Sequence, residues 1–302
     1  MVLWNEPTPV DEGFRRAFEE RDLPITVDMV SIGKNPSRLP DVVNLIEREA
    51  PDLVYTNDVQ TTLGVAGRRG DIVRRLSGTP ITFAMACDPV ETGVVSAFGP
   101  SGRNTTGVSQ VAPVAAQIQA MRSYLPVSRI ATIQTLADPV SANAVERLSI
   151  AAEAVDIRVD AFEVPAAING APQAEALPSL VEEISDLAPQ FLYLGPDRFT
   201  AEHAETITTA AIHHGLPTFA TMESSLRRAD ALFGLIAHDA AVGRLVAEKA
   251  LAILFGGVDP GDLPVEHASP FSHALRSDVA RRLGVFPSLA LLDYAEIIER
   301  EA

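Results

Sequence analysis

The chain has 302 residues, 47% of them hydrophobic and 21% charged, with a formal net charge of −16. That length suits two ordinary domains with cores of their own, and the acidic balance argues against nucleic acid or anionic lipid as partners, which both call for clustered cations. A single cysteine, Cys87, excludes an internal disulfide, and no apolar run is long enough for a membrane helix.

Along the chain, short apolar runs alternate with amphipathic stretches. Residues 2–4 read as a buried strand and residues 11–21 as a helix carried by Phe14, Ala17 and Phe18. Strands follow at 25–30, 53–56 and 81–86, with helices at 39–49 and 58–66 between them. This alternation predicts a parallel sheet with right-handed crossovers. The Gly/Pro/Ser/Asn-rich stretch 98–107 reads as a loop or an interdomain crossing. The alternation then restarts: helices at 111–124, 139–154, 177–187 and 203–214, and strands at 129–134, 157–162, 191–194 and 218–221. A strand at 231–236 leads to a long helix at 240–255, closed by Gly256-Gly257. Four prolines, Pro260, Pro264, Pro270 and Pro287, predict an irregular tail with an extended piece at 263–267 and helices at 277–283 and 291–300.

The expected fold is therefore α/β, with two doubly wound parallel-sheet lobes joined by a hinge. The first lobe takes residues 1–107 and 238–260, the second 108–237 and 261–302, with Asn104, Gly107 and His238 at the hinge. Ligands of open α/β sheets bind beyond the carboxyl ends of the strands. Two such ends facing one cleft would make a clamp.

Several stretches carry a family likeness. Asp88-Pro89-Val90-Glu91-Thr92-Gly93-Val94-Val95, then Pro100, Gly102, Asn104, Thr105, Thr106 and Gly107, come first. Leu216-Pro217-Thr218-Phe219-Ala220 with Glu223, Asp239 to Gly243, and Ala247 to Gly256 follow in order. The tail adds Asp262-Leu263-Pro264-Val265-Glu266, Ala280 to Gly284 and Pro287-Ser288-Leu289. Together they resemble the ABC-transporter substrate-binding family with a type I periplasmic-binding fold. That resemblance spans nearly the whole chain. It implies a receptor similar to tryptophan- and phenylalanine-binding lipoproteins, an amino-acid-like ligand and an ABC permease as partner. It also implies a periplasmic or other extracytoplasmic, membrane-associated location. The chain departs from the family in lacking an export segment and a lipid-anchoring cysteine, and in having Leu136-Ala137-Asp138 where an Asn-Pro turn is usual. A cytoplasmic protein, or one whose export segment has been removed, both fit this start. An excised domain fits the end.

Candidate ligand contacts sit in the loops after strands. Residues 55–62 open a helix whose backbone N–H groups suit a carboxylate, with Thr56, Asn57, Gln60 and Thr61 at hand. The plainer alternative is that Asn57 or Asp58 caps that helix. Asp88 can face an ammonium or close an Asx-Pro turn. Asp197, Glu223 and Asp239 are further carboxylates for an α-amino group; a helix cap at Asp239 and a solvated loop position for Glu223 are the competing readings. Trp4, beside Asn5, can stack on a planar ligand or pack in the core.

No catalytic set, cofactor or metal is expected. The histidines His203, His213, His214, His238, His267 and His273 lack metal-ligand spacing. Phosphate-cradling and nucleotide-binding glycine motifs and a nucleophile elbow are missing, and Cys87 reads as a packed thiol. The sequence points to a monomeric receptor that captures a small polar solute for import. A ligand-sensing domain of a signalling protein is the alternative, and an enzyme on a doubly wound fold is less favoured.

Overall fold

The computed structural model describes residues 1–71, 76, 78–85 and 88–299. Cys87 lies outside them. The chain divides into two compact units, Met1–Gln110 with His238–Ser269, and Val111–Ala237 with Pro270–Ala302. Strands run in chain order as β1 Val2–Leu3, β2 Val30–Ser31, β3 Val54–Thr56, β4 Ile81–Met85, β5 Gly99–Pro100, β6 Thr105–Ser109 and β7 Arg129–Gln134. They continue as β8 Arg158–Glu163, β9 Phe191–Leu194, β10 Thr218–Ala220, β11 Phe233–Ile236, β12 Pro264–His267, β13 Ser272–Leu275 and β14 Glu296–Ile297.

The first unit's sheet has the order β2-β1-β3-β4-β6-β12-β5. Every neighbouring pair is parallel except the last, β12 with β5. Its helices are α1 Pro9–Glu19, α2 Leu39–Glu49 and α3 Val59–Ala66. On α2, Leu39, Val42, Val43 and Ile46 are buried at helical spacing and pack with Ile32, Val54, Val65 and Ile81.

The second unit's sheet has the order β14-β13-β11-β10-β9-β7-β8, parallel except where β13 meets β11. Its helices are α4 Val114–Tyr124, α5 Pro139–Glu153, α6 Leu177–Asp186, α7 Arg198–Glu202, α8 Ala204–His213 and α9 Glu223–Arg227. Because a strand's side chains alternate between faces, β9 serves two cores. Phe191 and Tyr193 join Ile118, Met121 and Tyr124 of α4. Leu192 and Leu194 join Val181 and Ile184 of α6 and Ile207 of α8. Both faces being covered explains why these strands read as continuous apolar runs.

The returning helix α10, Asp239–Leu254, belongs to the first unit and packs on α1. Their crossing is glycine-lined. A Cβ on Gly13 would lie 2.2 Å from the Ala240 carbonyl oxygen, and one on Gly243 would lie 2.0 Å from that of Val10. Only hydrogen fits at either position. Lys249, nearly buried on α10, donates to the Pro264 carbonyl and to Glu266, tying the helix to β12. The chain closes with α11 Ser277–Leu283 and α12 Leu289–Leu292 in the second unit.

The structure corrects several expectations. The stretch 98–107 is not a plain loop: it supplies β5 and the start of β6, a central strand buried along its length. A Thr-Thr-Gly-Val-Ser segment offers no apolar run. It is buried because its backbone pairs with β4 and β12 and because Thr106 donates to the carbonyl groups of Leu263 and Pro264. Residues 108–110 and 261–269 lie in the first unit rather than the second. In place of a helix at 291–300, the short α12 gives way to the edge strand β14. The strand expected at 25–30 shrinks to Val30–Ser31.

The hinge expectations for Asn104 and Gly107 also change. Asn104 precedes β6, at the amino end of that strand, where its amide donates to the carbonyl groups of Leu76 and Thr79. Gly107 is inside β6, and a Cβ there would lie 2.3 Å from the Phe83 carbonyl oxygen. Both are packing positions within the first unit. The chain passes between units at 110–111, 237–238 and 269–270, so His238 does stand at a crossing.

Candidate functional site

In each unit, polar side chains gather just beyond the carboxyl ends of the parallel strands. In the first unit, β1 runs into Trp4 and Asn5, both half-buried, and Trp4 packs beside Val30 against the α2 core. Strand β3 ends at Thr56 and passes to Asn57. The Asn57 amide donates to Thr8 Oγ1 at 2.9 Å, and that hydroxyl donates to Asp11 Oδ2 at 2.7 Å. The Thr8 backbone N–H donates to the same oxygen, forming a capping box at the start of α1. Asp11 Oδ1 accepts from the buried Tyr55 hydroxyl at 2.9 Å. A carboxylate 1% exposed thus joins a tyrosine on β3 to the asparagine beyond it.

Tyr55 is held well above the usual phenol range, first by burial, then by the charge and bond of Asp11, and further by Asp239. Asp239 is therefore electrostatically close to this network. It is the first helical residue of α10, while His238 occupies the N-cap position without a side-chain cap bond. Its carboxylate in the first turn matches the positive end of the helix. Tyr55→Phe is expected to cost about 1–2 kcal/mol of stability, since it removes a donor from a buried carboxylate. Urea unfolding measures this, and an unchanged midpoint would show that the bond carries no net weight.

The N-terminus of α3 is already occupied. Asp58 Oδ1 accepts from the backbone N–H groups of Gln60 at 2.7 Å and Thr61 at 3.2 Å. Thr61 Oγ1 donates to the Asp58 carbonyl, and Thr56 and Thr62 share a bond between their buried hydroxyls. The plainer reading, a capped helix, describes this segment. Of the candidate contacts there, half-buried Asn57 and exposed Gln60 reach solvent, whereas Thr56 and Thr61 are buried. Asp88 likewise accepts from the backbone of Val90 at 2.8 Å, as an Asx turn does.

In the second unit, Asp197 follows β9 and caps α7. Its two oxygens accept from the Thr200 backbone and hydroxyl at 2.9 and 2.8 Å. It is 1% exposed, and burial pushes its carboxyl up from the ordinary value against the opposing pull of those bonds. Glu223 opens α9 and accepts from Arg227 Nε at 2.7 Å, an i,i+4 ion pair rather than a solvated carboxylate. Sequence reasoning passed over Thr135, directly after β7. Its hydroxyl is buried and has no bonding partner among the described residues.

The structure thus gathers Asn57 and Asp239 around the α1 start and leaves Asp197 and Glu223 engaged within the second unit. Thr8, Asp11 and Tyr55 were missed. A Thr-x-x-Asp spacing before a helix was the available signal. Among the described residues no cluster of three His, Cys, Asp or Glu side chains is placed to hold a metal.

The family model described as ABC transporter substrate binding protein matches residues 10–298. No curated protein sequence matches the chain. A Streptococcus pneumoniae structure described as an ABC domain in complex with L-Trp aligns with TM-score 0.79 at 18% identity, over 98% of this chain and 99% of that one. A conserved domain protein from Vibrio cholerae aligns with TM-score 0.80 at 21% identity, over 99% and 98%. A ligand-free, open substrate-binding protein with adhesive properties from Clostridium difficile gives 0.77 at 16%, over 99% and 98%. At these identities the likeness is one of fold: two lobes of the type I periplasmic-binding kind.

Proposed function

The chain belongs to the ABC transporter substrate-binding protein family, and from that premise we propose that it is the solute receptor of an importer. It captures a small polar molecule, an amino acid or a close relative, and delivers it unchanged to an ABC permease, acting as a single chain. The observation that supports this reading is the gathering of polar side chains at the carboxyl ends of the strands in both sheets, the position where open α/β sheets take their ligands. In the first unit Asp239 suits an ammonium group and Asn57 a carboxylate or carbonyl. The L-Trp bound in the Streptococcus pneumoniae structure supports an amino acid as the ligand class. Such a receptor works outside the cytoplasmic membrane. No helix among the described residues is long and apolar enough to cross one.

Binding works by selection of the form that the solute stabilises. Moving the population from mostly unliganded to mostly liganded geometry takes about 5 kcal/mol of differential affinity. A thermal-shift screen of the amino acids tests the reading. A true ligand at a hundredfold excess over its Kd stabilises the protein by about 2.7 kcal/mol, and the midpoint rises accordingly. If no amino acid or related acid moves the midpoint, the reading fails.

Asp239→Ala is expected to weaken solute binding at least tenfold, roughly the 1.5–3 kcal/mol of a charged hydrogen bond, with the unliganded melting curve close to wild type. Asp197→Ala is a different case. As a buried cap it is expected to lose about 1 kcal/mol of stability without ligand, so its binding data must be read against its own melting curve. Calorimetry giving Asp239→Ala an unchanged Kd would remove that residue from the site.

A further inference from the structure

The first unit carries a concavity on the side away from the strand carboxyl ends. It has a volume of about 200 Å³ and is lined by Arg68, Arg69, Asp71, Ser96, Ser101 and Arg103. Its position follows from the topology. Arg68 to Asp71 come after α3 has returned to the amino end of the sheet, and Arg103 stands just before β6.

Three arginines around one hollow are unexpected in a chain of net charge −16, because like charges so gathered repel unless an anion joins them. The guanidinium groups are set in place rather than adrift. Arg103 donates to the carbonyl groups of Ala66, Gly67 and Val94. Arg68 donates to that of Thr92 at 3.4 Å. The Arg69 backbone N–H is fixed on the Gly93 carbonyl at 2.7 Å, and the residue is exposed. The one carboxylate of the rim, Asp71, accepts from the Arg68 backbone N–H at 2.8 Å. Gly70, at φ +86°, makes the turn that wraps this segment around the hollow.

A donor-rich, cationic pocket of this kind matches a tetrahedral oxyanion, since guanidinium groups bind phosphate with paired, charge-assisted bonds. We infer that this pocket is a phosphate-group site, distinct from the solute site, taking inorganic phosphate or a small phosphate monoester. It gives an acidic receptor a place where an anion's occupancy can bear on the first unit alone.

Titration calorimetry at low ionic strength, with inorganic phosphate as the probe and glycerol phosphate in a parallel arm, tests the site in the full chain. Saturable one-to-one binding is expected. Arg69→Ala should weaken it about tenfold, the loss of one charge-assisted bond, and Arg69→Lys should recover part of it. Tighter binding of glycerol phosphate assigns the site to monoesters, and equal or weaker binding assigns it to the free ion. The exposed Arg122, on α4 of the other unit, serves as a control for net charge. Failure to saturate at millimolar phosphate overturns the inference. So does an Arg122→Ala variant that loses as much affinity as Arg69→Ala. An amino-acid thermal shift unchanged in Arg69→Ala keeps this outcome separate from the fate of the solute site.

Discussion

Arg276→Met is expected to destabilise the protein by about 3–5 kcal/mol, the cost of removing one partner from a buried ion pair. Arg276 follows β13 and is 1% exposed. Its guanidinium donates to the carbonyl groups of Leu226 and Ala229 at 2.6 and 2.9 Å, to Asp230 at 3.1 Å and twice to Asp278. Asp230 also accepts from Arg282 at 2.9 Å. One side chain thus holds α9, the segment leading into β11, and the start of α11. Methionine keeps the apolar stem but leaves two buried carbonyl groups without that donor and takes the buried counter-charge from Asp230. Urea unfolding followed by circular dichroism should show the loss, and Arg276→Lys should fall between the two. A midpoint within about 1 kcal/mol of wild type would mean that desolvation had cancelled the pair's attraction.

Gly243→Val is expected to produce the other large effect, at or beyond the upper end of the 1–3 kcal/mol usual for overpacking. The atom it adds meets backbone, not a movable side chain: the Val10 carbonyl oxygen at 2.0 Å and the Phe14 nitrogen at 2.6 Å. Close-packed interiors have no room to absorb this, so α1 and α10 must part. Both helices begin beside the proposed solute site, α1 with Thr8 and Asp11 and α10 with Asp239. The variant should therefore lose solute affinity along with stability. Arg244→Ala, one residue on and at the surface, breaks an exposed pair with Glu20 and should leave both almost unchanged. A Gly243→Val protein that melts like wild type would show that the helices can separate without cost.

Helices proved the most legible part of the chain. The spacing of Leu39, Val42, Val43 and Ile46, or of Phe14, Ala17 and Phe18, announces a buried face and comes within a few residues of the observed ends. Buried central strands such as β4 and β9 were equally plain. The strand β6 was hidden because burial there rests on hydrogen bonds made by threonines, and composition alone cannot distinguish that from a polar loop. The tail was hidden for a related reason. β12, β13 and β14 acquire their partners from residues far away in sequence, so prolines dominated the local signal. At the site, residue types were readable but their engagements were not. Asp58, Asp197 and Glu223 look alike as carboxylates after strands, yet the fold gives each a neighbour a few residues on. Asp11 was signalled by its spacing from Thr8 at a helix start, but its bond to Tyr55 joins residues 44 apart and had no local signal.

The three passages of the chain between units bear on how the molecule is made. As it leaves the ribosome, residues 1–110 carry six of the first sheet's seven strands but lack β12, the one that seats between β6 and β5. Nor is α10 there to cover the glycine face of α1. Both arrive only after residues 111–237 have emerged. The first half must wait, with an apolar helix face and a sheet edge uncovered, while the second half is synthesised and begins to fold. The product closes late, and the glycine seam between α1 and α10 is among the last surfaces to leave water.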